Sequence, residues 1–255
     1  MPTAIREVVL LIDIAISKWR EFVYIGTRKN GTNRLSPVMT TLNAPQLTPR
    51  IVSLNVGSIR EVEWHGEIVT TGIWKYPVDG RVPLRGVNFA GDDQADRTVH
   101  GGPDKAVYAY AREDYDFWRG ELGIDMPPGT FGENLTVEGL DLSSAMVGDK
   151  WRVGSALLEV AQPRLPCFKL GIRMGDPRFP KRFQAAGRMG AYLRVLEEGD
   201  VGAGDEVQVV FRPDNGVTLR EMVDALRDRS TAHRLLRAPY LPRFWREVAE
   251  GSRSS

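Results

Sequence analysis

The stretch VAQPRLPCFKL, Val160 to Leu170, holds the single cysteine of the chain, Cys167. Pro163 and Pro166 precede the thiol, and Arg164 and Lys169 stand two or three residues from it. Prolines stiffen a turn, and neighbouring cations favour thiolate over thiol. A thiolate there could act as a nucleophile, as a soft metal ligand or as a carrier of sulfur. The plain alternative is a small apolar core residue. A second dense patch is GVNFAGDDQADRTVHGGPDKAVYAY, Gly86 to Tyr110, read as a long loop entering a strand. His100 there precedes Gly101 and Gly102, whose missing Cβ atoms let backbone N–H groups approach an anion. A histidine holding its own turn is the competing reading. Asp92, Asp93 and Asp96 lack the positions of a calcium loop, so turn-forming roles suit them better. Three histidines and one cysteine, widely spread, make no zinc signature. A third patch, GTFGENLTVEG from Gly129 to Gly139, sets Glu133 and Asn134 at a strand entrance.

The elements that must position these groups are mostly strands. RIVSLNVG, EIVTTGIWK, RVPLRGV, AVYAY, NLTVEGL, KWRVG, LLEVAQ, AYLRVLEEG and DEVQVVF are short runs rich in β-branched and aromatic residues, punctuated by Gly and Pro. Their number and spacing predict a mainly β fold, a mainly antiparallel sheet closed into a barrel or sandwich. REDYDFWRGELG (Arg112 to Gly123) and PKRFQAAG (Pro180 to Gly187) read as helices, each stopped by glycine. After Phe211, Thr218 and Glu221 form a capping-box pattern ahead of TLREMVDALRD. STAHRLLRA and LPRFWREVAEG follow, the latter with Pro242 in its first turn. These three short helices are too few to fold alone, so they are expected to dock, with Phe244 and Trp245 as anchors. Three segments result: an N-terminal arm or overextended start over 1–48, a β-barrel domain over 49–211 and a three-helix segment over 212–255. Ile5 to Val23 carries apolar residues at helical spacing, and Met39 is a second candidate start.

Composition narrows the function classes. There are 34 Lys+Arg and 33 Asp+Glu residues, so net charge points to neither nucleic acid nor an anionic membrane. The arginines after Phe211 are interleaved with Glu221, Asp224, Asp228 and Glu247, which reads as a solvated helix surface. No run is apolar and long enough to span a bilayer. One cysteine forms no internal disulfide, which fits a reducing, cytoplasmic setting. No flavin, haem, iron–sulfur or nucleotide-loop signature is present.

DRTVHGGPDKAVYAY, FGENLT, Gly148–Asp149 and QPRLPCFKL, in that order and spacing, resemble the MOSC domain family, named for the C-terminal domain of molybdenum cofactor sulfurases. The trailing three helices resemble its YiiM-like branch. The likeness covers about Arg50 to Glu250. It implies a barrel like the pyruvate kinase β-barrel domain and a pocket for molybdenum cofactor (molybdopterin), with Cys167 ligating molybdenum or carrying sulfur. It carries Lys75, His100 and Lys105 to the pocket wall, and Arg164 beside the cysteine turn. Arg97, Lys105, Arg164, Lys169, Arg173 and the Gly101–Gly102 backbone could meet the cofactor phosphate. His100 could supply a proton. The implied reaction is reduction of N-hydroxylated bases such as 6-hydroxylaminopurine to amines, with an external electron donor and a small-molecule substrate. Pyridoxal phosphate is not expected, and pairing into a homodimer is left open. The alternatives are a sulfur carrier with a persulfide on Cys167, a non-catalytic cofactor carrier, and a hydrolase with Cys167 as nucleophile and His100 as base.

Overall fold

The computed structural model describes residues 48–95, 101–214, 216–238 and 240–251. The N-terminal arm, Met39, Asp96, Arg97 and His100 lie outside the described residues. Strands β1 (Arg50–Val56), β4 (Tyr76–Pro77), β7 (Val107–Ala111), β8 (Leu135–Glu138), β9 (Lys150–Val153), β10 (Ala156–Pro163), β11 (Ala191–Glu197) and β13 (Val207–Phe211) form one sheet, in the order β13-β9-β10-β11-β7-β8-β1-β4. A smaller sheet orders β12 (Gly199–Gly202), β5 (Arg81–Arg85) and β6 (Asn88–Phe89), and β2 (Arg60–Trp64) pairs with β3 (Glu67–Thr71) as a hairpin.

The sheet is mainly antiparallel, as expected; among the described strands β7 and β8 alone pair in parallel. Helix α1 (Arg112–Leu122) lies in the crossover between them, as a parallel connection requires. Among the described residues the strands form no closed ladder. The β13 side approaches β1 through an isolated Arg50–Glu206 bridge, flanked by Val207 N–H to Pro49 O and Ile51 N–H to Asp205 O, both 2.8 Å. It is the turn between β12 and β13, rather than the length of β13, that meets β1.

The strands that position the cysteine turn are buried along nearly their whole length. β10 (ALLEVAQP) has one half-buried residue, and β7 (VYAYA) has none. Such near-continuous burial means that both faces are covered. One face packs Leu158, Val160 and Leu193 with residues of the C-terminal segment, among them Met222, Leu235 and Trp245. Helices α4 (Leu219–Arg227) and α5 (Arg243–Gly251) flank a 3-10 segment, Arg229–Arg237, there. Thr218 and Glu221 form the expected capping box. STAHRLLRA is a 3-10 segment rather than an α-helix, with Asp228 accepting from Ser230 N–H at its entrance. Pro242 precedes α5 and accepts the Arg246 N–H through its carbonyl (3.0 Å).

The other side is an aromatic layer. Tyr108, Tyr110, Tyr115, Trp118, Phe131 and Phe183 pack together. Phe179 and Phe183 lie one turn apart on α3 (Phe179–Ala186), and the Trp118 and Phe183 rings stack at 5.7 Å. Burying such side chains makes this layer stiff, and truncation of Phe183 would cost about 3–5 kcal/mol. Gly123 and Gly187 end α1 and α3 in the left-handed conformation, as their sequence positions predict.

Candidate functional site

Cys167 is not on a free turn. It is the N-cap residue of a helix, α2 (Phe168–Met174), and is half-buried. β10 ends at Pro163, and Arg164–Pro166 carry the chain round to that cap. The turn is held from below. Arg164 is 5% exposed; it donates to the Phe131 carbonyl (2.8 Å) and lies over the Tyr108 ring at 5.1 Å. Among the described residues no carboxylate pairs with it. A buried guanidinium without a counter-ion is costly, and an anionic ligand would relieve that cost.

Arg164 and Cys167 line an inner cavity of about 100 Å³, together with Lys75, Lys105, Lys169 and Gln94. Four of the expected basic residues therefore line one cavity, with Asp93 also among its lining residues, although they span Lys75 to Lys169 in sequence. Burial pulls the Lys75 ammonium below its ordinary pKa, and Asp92 opposes that shift. Asp92 contacts Lys75 Nζ and also accepts from Gly57 N–H (2.9 Å) and Asn134 Nδ2 (2.8 Å). It is thus the buried counter-ion of Lys75 rather than a turn former. Asn134 in turn accepts from Tyr108 N–H through Oδ1 (3.1 Å), tying β7 to the FGEN segment.

Glu133, at the strand entrance, is wholly buried. It accepts from the Tyr115 hydroxyl, from Gly129 N–H (2.7 Å) and from the Thr136 hydroxyl (2.8 Å). Burial pushes its carboxyl above the usual carboxylate range. Gly129 has φ +84°, and a Cβ there would lie 2.5 Å from the Lys75 carbonyl oxygen. Gly132, φ +79°, would carry its Cβ to within 2.8 Å of Ile73. Both glycines let this loop lie against the Lys75 segment.

Across Cys167 a larger cleft of about 580 Å³ opens. It shares Lys105, Leu165, Cys167 and Tyr192 with the inner cavity, so the thiol stands where the two meet. Gly101 and Gly102 line this cleft, as do Pro242, Arg243 and Phe244 of the C-terminal segment. Arg173 is placed elsewhere: it lies over the Trp74 ring at 5.8 Å and lines neither space. Trp245 is the buried anchor that sequence predicts, its indole N–H donating to Gln162 Oε1 (2.9 Å). Phe244 is not an anchor, because it is 48% exposed. Among the described residues no group of three or more His, Cys, Asp or Glu side chains could hold a metal ion.

Residues 96–208 match the MOSC domain. Protein YflK of Bacillus subtilis (strain 168), itself uncharacterized, is 41% identical over 170 residues, 67% of this chain and 77% of that protein. The chain belongs to the MOSC domain family. The crystal structure of YiiM from Geobacillus stearothermophilus superposes with a TM-score of 0.66 at 31% identity, covering 80% of this chain and 98% of that one. A protein named reductase from Gibberella moniliformis (strain M3125 / FGSC 7600) is 34% identical over 202 residues, 76% of this chain but only 35% of its own length. The MOSC match begins after Lys75, Asp92 and Gln94, so part of the inner cavity wall comes from chain that precedes it. Sequence reasoning missed Asp92, Gln94, Tyr108 and Tyr192 as site residues. Their polarity or ring gave no signal until β7 and β11 were seen to pair side by side.

Proposed function

We propose that this MOSC protein binds molybdenum cofactor at Cys167 and reduces N-hydroxylated bases, such as 6-hydroxylaminopurine, to amines. The observation that carries the reading is the buried Arg164, with no ion-pair partner among the described residues, lining a cavity with the thiol. That donor set fits the cofactor: one soft thiolate for molybdenum, and cations for its phosphate. Gln94 Oε1 is buried without a hydrogen-bond partner, which suits a ligand donor such as a pterin amine. At about 100 Å³ the inner cavity is smaller than a site for a whole small molecule, so the neighbouring cleft must supply room as well.

In this reading Arg164, Lys105 and Lys169 hold the phosphate, while Lys75 lines the same cavity with its charge balanced by Asp92. Cys167 supplies the thiolate ligand. When bound, the cofactor supplies two-electron redox chemistry at molybdenum. The overall change breaks one N–O bond: R–NH–OH with two electrons and two protons gives R–NH₂ and water. The electrons come from an external donor. The relative named a reductase supports this, since the segment matching the present chain is about a third of that protein. His100 is retained as the proton donor. Tyr108 and Tyr192 stay protonated, because burial raises both phenols.

The test is molybdenum and pterin content after expression in a host that makes the cofactor, for the native protein and Cys167→Ser. The expected result is near-stoichiometric molybdenum in the native protein and its loss in the variant, followed by reduction of 6-hydroxylaminopurine by the native protein with a chemical reductant. Cofactor without turnover would replace the enzyme by a carrier. No molybdenum in either, with a persulfide mass shift on Cys167, would replace it by a sulfur-transfer protein.

A further inference from the structure

The proposal above places the cofactor on the inner, cationic side of Cys167 and leaves the far end of the larger cleft unassigned. The walls of that far end differ from those of the inner cavity. Pro103, Pro166 and Pro242 present flat, rigid, apolar rings, and Phe244 presents an aromatic face. Two of the cleft's charged side chains have ion-pair partners. Asp104 pairs with Arg194 (2.5 Å), and Arg243 with Glu247 (2.8 Å). The Gln162 amide is spent on the Asp104 carbonyl (3.3 Å) and the Trp245 indole. The proline and phenylalanine rings give a flat ligand surfaces on which its faces can pack.

Phe244 is held there from two sides. Trp245, next in the chain, is fully buried and contacts the Phe244 ring edge-on at 5.4 Å. The adjoining Pro242 carbonyl starts α5. The half-exposed Phe244 ring, at an anchored helix start, borders the cavity that reaches the thiol.

We infer that the outer end of this cleft is the subsite for the planar ring of the substrate, and that Phe244, at the start of α5, is its specificity-determining wall. The C-terminal helical segment is therefore part of the binding site and not only a cover for the sheet. The inference rests on the reductase reading for its choice of ligand, a heteroaromatic base with an exocyclic N–OH, but not for its geometry.

Equilibrium dialysis of 6-hydroxylaminopurine against the full-length, cofactor-loaded protein tests it without requiring turnover. Phe244→Ala is expected to raise Kd about tenfold, the factor that corresponds to about 1.4 kcal/mol of lost ring contact. Phe244→Tyr should restore binding. Arg246→Ala, an exposed residue of the same helix outside the cleft, is the control and should bind as the native chain does. Equal Kd in the native protein and Phe244→Ala overturns the subsite, even if molybdenum is present and the base is reduced. Base binding that depends on Phe244 in a protein devoid of molybdenum upholds the subsite while the reductase reading falls. Loss of binding in Arg246→Ala to the same extent as in Phe244→Ala also overturns it, since helix integrity would then be what matters.

Discussion

Asp92→Ala should be among the more damaging single substitutions in this protein, although Asp92 sits in a loop and touches no proposed ligand. The Lys75 and Asp92 side chains are 8% and 1% exposed, so water cannot take over as counter-ion without local opening. Breaking a buried pair by removing one member costs about 3–5 kcal/mol, because the other charge stays buried. Glu133 and Asp93 remain as more distant negative groups near Lys75, which places the expectation toward 3 kcal/mol. Gly57 N–H and Asn134 Nδ2 lose an acceptor in the same step. For a domain of this size about 1 kcal/mol moves Tm by roughly 2–4 °C, so Tm should fall by about 6–12 °C. The decisive assay is a double-mutant cycle by chemical denaturation with Lys75→Met. Lys75→Met alone should cost less, since Asp92 keeps two donors. The double variant should be more stable than the sum of the singles requires by about 2 kcal/mol or more, because neither charge is then left alone. Additivity within about 0.5 kcal/mol, or an Asp92→Ala cost below about 1 kcal/mol, would refute the assignment of Asp92 as the counter-ion that keeps Lys75 charged.

Arg164→Met should change the stability of the cofactor-free protein by less than about 2 kcal/mol, since relief of an uncompensated buried charge offsets the lost bond to the Phe131 carbonyl. The same variant should lose the rise in Tm that inorganic phosphate gives the native protein, as followed by calorimetry. Gly129→Ala should destabilise by about 2 kcal/mol or more and lower cofactor content, because φ +84° disfavours a side chain and the new Cβ would press on the Lys75 carbonyl; hydrogen exchange should show the loosening at Lys75. The pH dependence of Lys75 has a definite sign. Its folded pKa is depressed below the ordinary 10.5, so between the two values the unfolded chain binds more protons. Its contribution is full above 10.5 and is lost as pH falls through the folded value. The difference in unfolding free energy between native protein and Lys75→Met should therefore shift in favour of the native chain as pH climbs toward 10.5, and a flat difference would contradict the burial argument.

What could be read from sequence was what is local. The glycine stops of α1 and α3, the Thr218–Glu221 box and most strands rest on neighbours within a few residues, and the structure has them where the spacing places them. The helix after Cys167 escaped because it is only seven residues long, too short for a periodic apolar stripe, and Pro166 just before it reads as a turn. Barrel closure is not a local property either: strand count and spacing do not say whether the last strand or the turn before it meets the first. The expected cations Lys75, Lys105, Arg164 and Lys169 do line one cavity, yet nothing in their local patterns links them. Asp92 shows the limit most clearly. Among three aspartates in a glycine-rich loop it looks like a turn former, and only the pairing of distant segments turns it into the partner of Lys75. The same step from local to long-range changes the meaning of Cys167. A thiol between prolines and cations could have been a core residue. Half-buried, it stands where an inner cavity lined by Lys75, Lys105, Arg164 and Lys169 meets a wider cleft lined by proline and phenylalanine rings. With Arg164, Lys105 and Lys169 lining the same cavity, the thiol stands among cations that favour thiolate, which is the form a soft metal ligand needs.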